Sequence, residues 1–255
     1  MAYALEAHGL ARTFNGFRAV DGVDLKVRAG SIHALIGPNG AGKTTCFNLL
    51  TRFLDATAGT IVFDGRDITR LRADAVARLG MIRSFQISAV FGQLSVFENV
   101  RLAMQRGRGF SFDWWRSDRV LQAHDERTHL LLEEVGLSEW AEHRADALPY
   151  GRKRVLELAT TLALEPRMLL LDEPMAGMGA EDIAHAVRLI RQAASGRTVL
   201  MVEHNLSVVA DLCDTITVLA QGKVLAQGDY KTVSNDERVA QAYLGGARHQ
   251  VKERA

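Results

Sequence analysis

Apolar residues in this chain follow three kinds of pattern. Near-continuous runs at SIHALI (from Ser31), MLLL (from Met168), TVLMV (from Thr198) and ITVL (from Ile216) have the length of strands. Runs without alternation predict burial on both faces, as in a parallel sheet covered by helices. Between 4 and 27 the pattern alternates in short bursts, which predicts strands joined by turns at Asn15-Gly16 and Asp21-Gly22. Residues 60–63 read as a strand closed by Asp64-Gly65, and 82–86 as a strand end with Gln86 just beyond it. The run from Ile216 and the one from Lys223 read as a hairpin through Gln221-Gly222. From 88 to 165 the period becomes helical. Leu130, Leu131, Leu132, Val135 and Leu137 mark one amphipathic helix stopped at Gly136, and 155–164 is a strongly apolar helix entered through Gly151. A further helix covers 181–194, and Ser234-x-x-Glu237 reads as a capping box for a last helix through about Leu244.

The first run leads into the most informative stretch. After it come Gly37, Pro38, Asn39, Gly40, Ala41, Gly42, Lys43, Thr44 and Thr45, and then a helix to about Leu50. This is G-x-x-x-x-G-K-[ST] in its strand–loop–helix setting, a phosphate-binding loop. Glycines let backbone N–H groups turn inward, and the positive end of the following helix adds to the anion site. Lys43 is positioned to reach β- and γ-phosphates, and Thr44 to offer a hydroxyl to Mg²⁺.

Composition narrows the function classes. A net charge of +1 gives no reason to expect a nucleic-acid partner. Two cysteines, Cys46 and Cys213, are too few for a disulfide scaffold and are not spaced as metal ligands, which fits a reducing cytosol. No run of eighteen apolar residues occurs, and the first residues lack the pattern of a secretory leader, so work at a membrane requires another chain to provide the span.

Other residues are weaker signals singly. Phe14, some two dozen residues before the phosphate loop, is placed to lie under an adenine ring, with Phe17 as competitor and a half-buried strand phenylalanine as the plain alternative. Asp172 and Glu173 end an apolar strand, where ligands bind in open α/β sheets. Glu203-His204 ends another. The segment 107–116 (GRGFSFDWWR) packs inside the helical region or forms a contact surface. Cys46, in the first turn of the loop helix, is either a small packing residue or a thiol whose modification blocks nucleotide.

The order of these signals resembles the ATP-binding cassette ATPases over almost the whole chain. GPNGAGKTT, RSFQ (from Arg83), LSVFENV (from Leu94), LPYGRKRVLELA (from Leu148), LLLDEPMAGM (from Leu169), MVEHN (from Met201) and AYLGG look like the ATP-binding subunits of branched-chain amino acid importers. The resemblance implies an α/β fold with a P-loop NTPase core: a mixed sheet flanked by helices, an antiparallel β subdomain and an α-helical lobe. It divides the chain into a core of 1–87 and 166–246, a lobe of 88–165 and a loose tail of 247–255. It implies ATP and Mg²⁺, with Thr44, Gln86 and Asp172 toward the metal, Glu173 as general base, and His204 at the γ-phosphate. Tyr150 and Gly151 face the nucleotide of a second cassette. It further implies a cytoplasmic, peripheral place on the inner membrane, with integral permease subunits and an external solute-binding protein as partners. A soluble cassette acting on nucleic acid or ribosomes is the rival; the double cassettes, coiled-coil insertions or basic extensions typical of those proteins are not present in this sequence. The chain departs from the general pattern at Pro149, Tyr150 and Arg152 in the signature turn, and at Gly179 where aspartate is usual. Proline offers neither hydroxyl nor N–H.

Overall fold

The computed structural model describes residues 2–84, 90–106 and 118–243. The chain runs β1 (Tyr3–Phe14), β2 (Phe17–Arg28), β3 (Ile32–Ile36), α1 (Lys43–Leu50), β4 (Ala58–Phe63), β5 (Arg66–Asp67), α2 (Ala73–Arg78) and β6 (Met81–Ser84). It continues through α3 (Val96–Arg106), α4 (Asp118–Glu134), α5 (Tyr150–Leu162), β7 (Met168–Asp172), α6 (Ala180–Ala193) and β8 (Thr198–Val202). It closes with α7 (Leu206–Leu212), β9 (Thr215–Ala220), β10 (Lys223–Gly228), α8 (Tyr230–Ser234) and α9 (237–243). The expected segment 107–116 and the tail 247–255 lie outside the described residues.

The apolar runs form one mixed sheet in the order β10-β9-β3-β8-β7-β6, parallel except for β10. Alternate residues feed two cores, as double-sided burial requires. Leu35, Leu170, Leu200 and Leu219 meet Phe47 and Leu50 of α1 and the antiparallel sheet β2-β1-β4-β5. Leu169, Leu171, Val199, Met201 and Val218 face the cluster that holds Val100 of α3, Leu132 of α4, Leu156 of α5 and Leu189 of α6. Each fully buried Leu or Phe contributes about 1.5–3 kcal/mol. The helices between 96 and 162 therefore share a core with the sheet.

Loop chemistry is mostly as expected. Asn15-Gly16, Asp64-Gly65 and Gln221-Gly222 all have positive φ and close hairpins. Gly136 (φ +71) ends α4: its N–H donates to the Glu133 carbonyl, the Leu137 N–H reaches the Leu132 carbonyl, and Leu137 is buried beyond it. Two expectations are corrected. Asp21-Gly22 is not a turn but a bulge within β2, between the pairs Leu10↔Val23 and Arg12↔Val20. There the Asp21 N–H is free to bond the Gly222 carbonyl at 2.8 Å, tying this sheet to the β9–β10 turn. Ser234 is not a cap either; it ends α8, whose own cap is Asp229, and Asp236 caps α9 through the Arg238 N–H. Two aspartates thus split the tail into two short helices.

One core polar group sets a pH dependence. His33 of β3 is 1% exposed, and its Nε2 pairs with Thr217 Oγ1 at 2.8 Å. Burial, aided by Arg28, pushes its pKa down to about 4 from 6.5. The folded state therefore binds this proton less readily than the unfolded chain. The stability contributed is present above pH 6.5 and is lost as pH falls through 4, by about 3 kcal/mol in full. Urea unfolding at pH 7 and pH 4.5 is expected to show this loss, and His33→Gln is expected to flatten that part of the slope.

Among the described residues no helix is long and apolar enough to cross a membrane.

Candidate functional site

The carboxyl end of β3, buried at all five positions, delivers the chain into the loop 37–42. Gly37 (φ +150) and Gly42 (φ +96) are required twice over. Their backbone angles disfavour a side chain, and a Cβ would lie 2.1 Å from the Leu219 carbonyl oxygen or 2.4 Å from that of Ala19. The loop is thereby seated on β9 and β2. Gly42 is the N-cap of α1 and brings no side-chain cap, so the first N–H groups of α1 stay available to an anion. Asn39, Gly40 and Thr44 are exposed, Thr45 and Pro38 half-buried, and Ala41 buried beneath them. Lys43 folds back over the loop, its Nζ donating to the carbonyls of Gly37 (2.8 Å) and Pro38 (3.1 Å). Burial lowers its pKa, while Glu173 and Asp172 pull the other way.

Parallel register brings the acids to the same edge. Asp172 is the last residue of β7 and pairs with Val202 at the end of β8. Its Oδ2 accepts from Arg83 Nη2 at 2.5 Å, and Nη1 of the same guanidinium donates to Asn48 Oδ1 of α1. Glu173 follows in the left-handed region (φ +49), a conformation costing about 1–2 kcal/mol for a residue with a side chain. Its N–H donates to the Val202 carbonyl at 2.9 Å. His204 Nδ1 lies 3.6 Å from Glu173 Oε1, both side chains being partly exposed. Glu203, the residue before His204, is 1% exposed.

Thr44, Asp172, Glu173, Ala176 and Arg154 line one open cleft of about 260 Å³. Lys43, Thr44, Asp172, Glu173 and His204 are thus brought together. A hydroxyl and a carboxylate on one wall suit Mg²⁺, which takes few protein oxygens and shares the rest with phosphate and water. Among the described residues no cluster of three His, Cys, Asp or Glu side chains offers a metal cage.

Other expected site residues stand elsewhere. Gln86 lies outside the described residues. Phe14 ends β1 in the hairpin whose Ala19 supports Gly42, with the Arg12 guanidinium 4.7 Å from its ring centre; Phe17 is more exposed. Tyr150 and Gly151 start α5, capped only by Pro149. The Tyr150 hydroxyl donates to the Ala176 carbonyl at 3.0 Å and accepts from Arg154 Nε. A Cβ on Gly151 would meet the carboxylate of Asp182, an exposed side chain of α6 that can swing aside. Gly179 caps α6 without a side chain. Arg83, Asn48, Arg154 and Glu203 were not foreseen as site residues. The polar ends of β6 and β8, in RSFQ and MVEHN, carried two of them.

Cys46 is fully buried among the residues under the loop, and burial pushes its thiol up to about 12; Cys213 rises likewise. The reactive-thiol alternative is therefore set aside. Neither cysteine is expected to react with Ellman's reagent in the native chain at pH 7.5, and two are expected after unfolding. Rapid native labelling at Cys46 with loss of nucleotide binding is the contrary result.

Comparison with known proteins gives the family. The family model described as ABC transporter matches residues 20–176, and that of the branched-chain amino acid ATP-binding cassette transporter matches 223–249. The chain is 39% identical over 253 residues to the high-affinity branched-chain amino acid transport ATP-binding protein BraF of Pseudomonas aeruginosa, covering 95% of this chain and 98% of that one. It is 34% identical over 242 residues to the lipopolysaccharide export system ATP-binding protein LptB of Escherichia coli, covering 94% and 97%. The crystal structure of the ADP conformation of MJ1267, an ATP-binding cassette of an ABC transporter, superposes with a TM-score of 0.83 at 28% identity, over 96% of this chain and 100% of that one. The chain belongs to the ABC transporter family, as one of its ATP-binding, ATP-hydrolysing cassettes.

Proposed function

We propose that this cassette energises import of branched-chain amino acids, or a closely related small solute, through separate permease subunits. The observation that carries the reading is the cleft lined by Thr44, Asp172 and Glu173 at the carboxyl ends of β3 and β7, with His204 beside Glu173 and Lys43 within reach of both acids. The cargo is supported by the match at 223–249 and by the likeness to BraF; the likeness to LptB warns that the catalytic half alone does not select cargo.

The family resemblance, together with these positions, supports the following roles. Backbone N–H groups of Gly37 to Thr45, Pro38 excepted, cradle phosphates, and Lys43 exchanges its loop carbonyls for phosphate oxygens. Phe14 stacks on the adenine. Thr44 and Asp172, with Gln86, hold Mg²⁺, which supplies charge neutralisation of the triphosphate. Glu173 takes the proton of the attacking water, and His204, beside it, steadies that water against the γ-phosphate. The uncapped start of α5 at Tyr150 and Gly151 covers the nucleotide of a second cassette in a head-to-tail pair, identical or paralogous. The assembly works at the cytoplasmic face of the membrane, fed by an external solute-binding protein.

The test is reconstitution. With the permease chains that co-purify with it, the cassette is expected to drive ATP-dependent uptake of labelled leucine into vesicles. Lys43→Ala is expected to weaken nucleotide binding at least tenfold and to stop uptake. Vesicles that hydrolyse ATP but transport no branched-chain amino acid would remove the cargo from the reading and leave the ATPase in place.

A further inference from the structure

The structure assigns a positioning role to Glu203, the buried carboxylate that clamps the segment after Glu173 to the segment bearing His204. Its side chain is as deeply buried as the core leucines, yet it makes no ion pair among the described contacts. It is filled by backbone donors instead. Oε1 accepts from the Met175 N–H at 3.3 Å, and Oε2 from the N–H groups of His204 at 2.7 Å and Asn205 at 2.9 Å. Asn205 in turn caps α7, accepting from the N–H groups of Ser207 and Val208.

These bonds define where the reacting groups sit. Glu173 holds a backbone conformation that a residue with a side chain rarely adopts, and two straps keep it there. One is its own N–H on the Val202 carbonyl; the other is Glu203, two residues further along on Met175. The same carboxylate fixes the peptide N–H of His204, whose ring lies 3.6 Å from Glu173. One anion thus sets the spacing between base and histidine. Charge-assisted bonds to backbone N–H groups suit the task, being stronger than neutral ones and tied to the chain rather than to mobile side chains. Oriented supporting groups of this kind govern rate more than binding, because sub-ångström misplacement at the reacting atoms is costly.

This inference rests on the roles proposed for Glu173 and His204. The decisive variant in the full chain is Glu203→Gln, which keeps the shape but sets an NH₂ against N–H donors. Nucleotide-binding sites are titrated with a fluorescent ATP analogue, and kcat is expressed per titrated site. The expected result is at least a tenfold fall in kcat per site, with nucleotide Kd and KM for ATP within twofold of the parent. Glu203→Asp keeps the charge but withdraws the oxygens by one methylene; it is expected to lose at least threefold with the same unchanged affinity, and serves if the glutamine variant does not fold. A purely structural role would lower the melting temperature and the number of sites while leaving kcat per site unchanged, and that result overturns the assignment. Glu173→Gln in the same assay separates the two ideas. If it is inactive and Glu203→Gln is normal, only the clamp fails; if it turns over at the parental rate, the base role fails with it.

Discussion

Glu173→Gln is expected to lower ATP turnover by about 10²–10⁴-fold, the range in which a positioned general base acts. At the upper end this is about 5 kcal/mol of barrier. The substitution removes the proton acceptor and leaves the phosphate cradle untouched, since Gly37, Gly42 and Lys43 are held by β9, β2 and their own loop. Nucleotide affinity is therefore expected to stay within a few-fold of the parent, and ATP to remain bound uncleaved. In the proposed head-to-tail pair the intact γ-phosphate then holds two cassettes together, so gel filtration with Mg-ATP is expected to show a dimer that disperses on nucleotide removal. Two measurements separate the outcomes: phosphate release gives the rate and filter binding gives the occupancy. Turnover near the parental value removes Glu173 from the base role. Loss of binding alongside loss of turnover assigns it to the nucleotide cradle instead.

Much of this was legible in the sequence because it is local or strongly periodic. A continuous apolar run bounded by glycines forms a doubly buried strand, and GPNGAGKTT needs only its own neighbours to make a loop. The acids at Asp172 and Glu173 and the histidine at His204 could be placed because each closes such a run. What escaped depends on register between distant strands. Asp21-Gly22 has the composition of a turn, but the partner strand β1 runs straight past it, and the extra residue is absorbed as a bulge. Ser234 and Glu237 have capping-box spacing, yet Ser234 falls at the end of α8, and Asp229 and Asp236 cap the two helices through the N–H groups of Thr232 and Arg238. The short pairing of β6 with β7, which brings Arg83 to Asp172, leaves no trace in either segment alone.

That hidden pair carries the largest expected effect on stability. Arg83 is 2% exposed at its side chain and Asp172 16%. The guanidinium also holds Asn48 and lies 4.9 Å from the Phe47 ring centre and 5.9 Å from that of Phe53. Burial draws the Arg83 pKa down, while the Asp172 carboxylate pulls it back up. Desolvation leads, so the pair as a whole adds little net stability, as buried pairs commonly do. Breaking it is another matter, because Arg83→Met takes the guanidinium away from a largely buried carboxylate beside Glu173. Urea unfolding without nucleotide is expected to show a loss of about 3–5 kcal/mol. Arg83→Met with Asp172→Asn no longer strands a charge, and is expected to recover roughly half of that loss. Single and double variants with additive losses would mean that Arg83 stabilises through Asn48 and the two rings, and that Asp172 is held by solvent rather than by its partner.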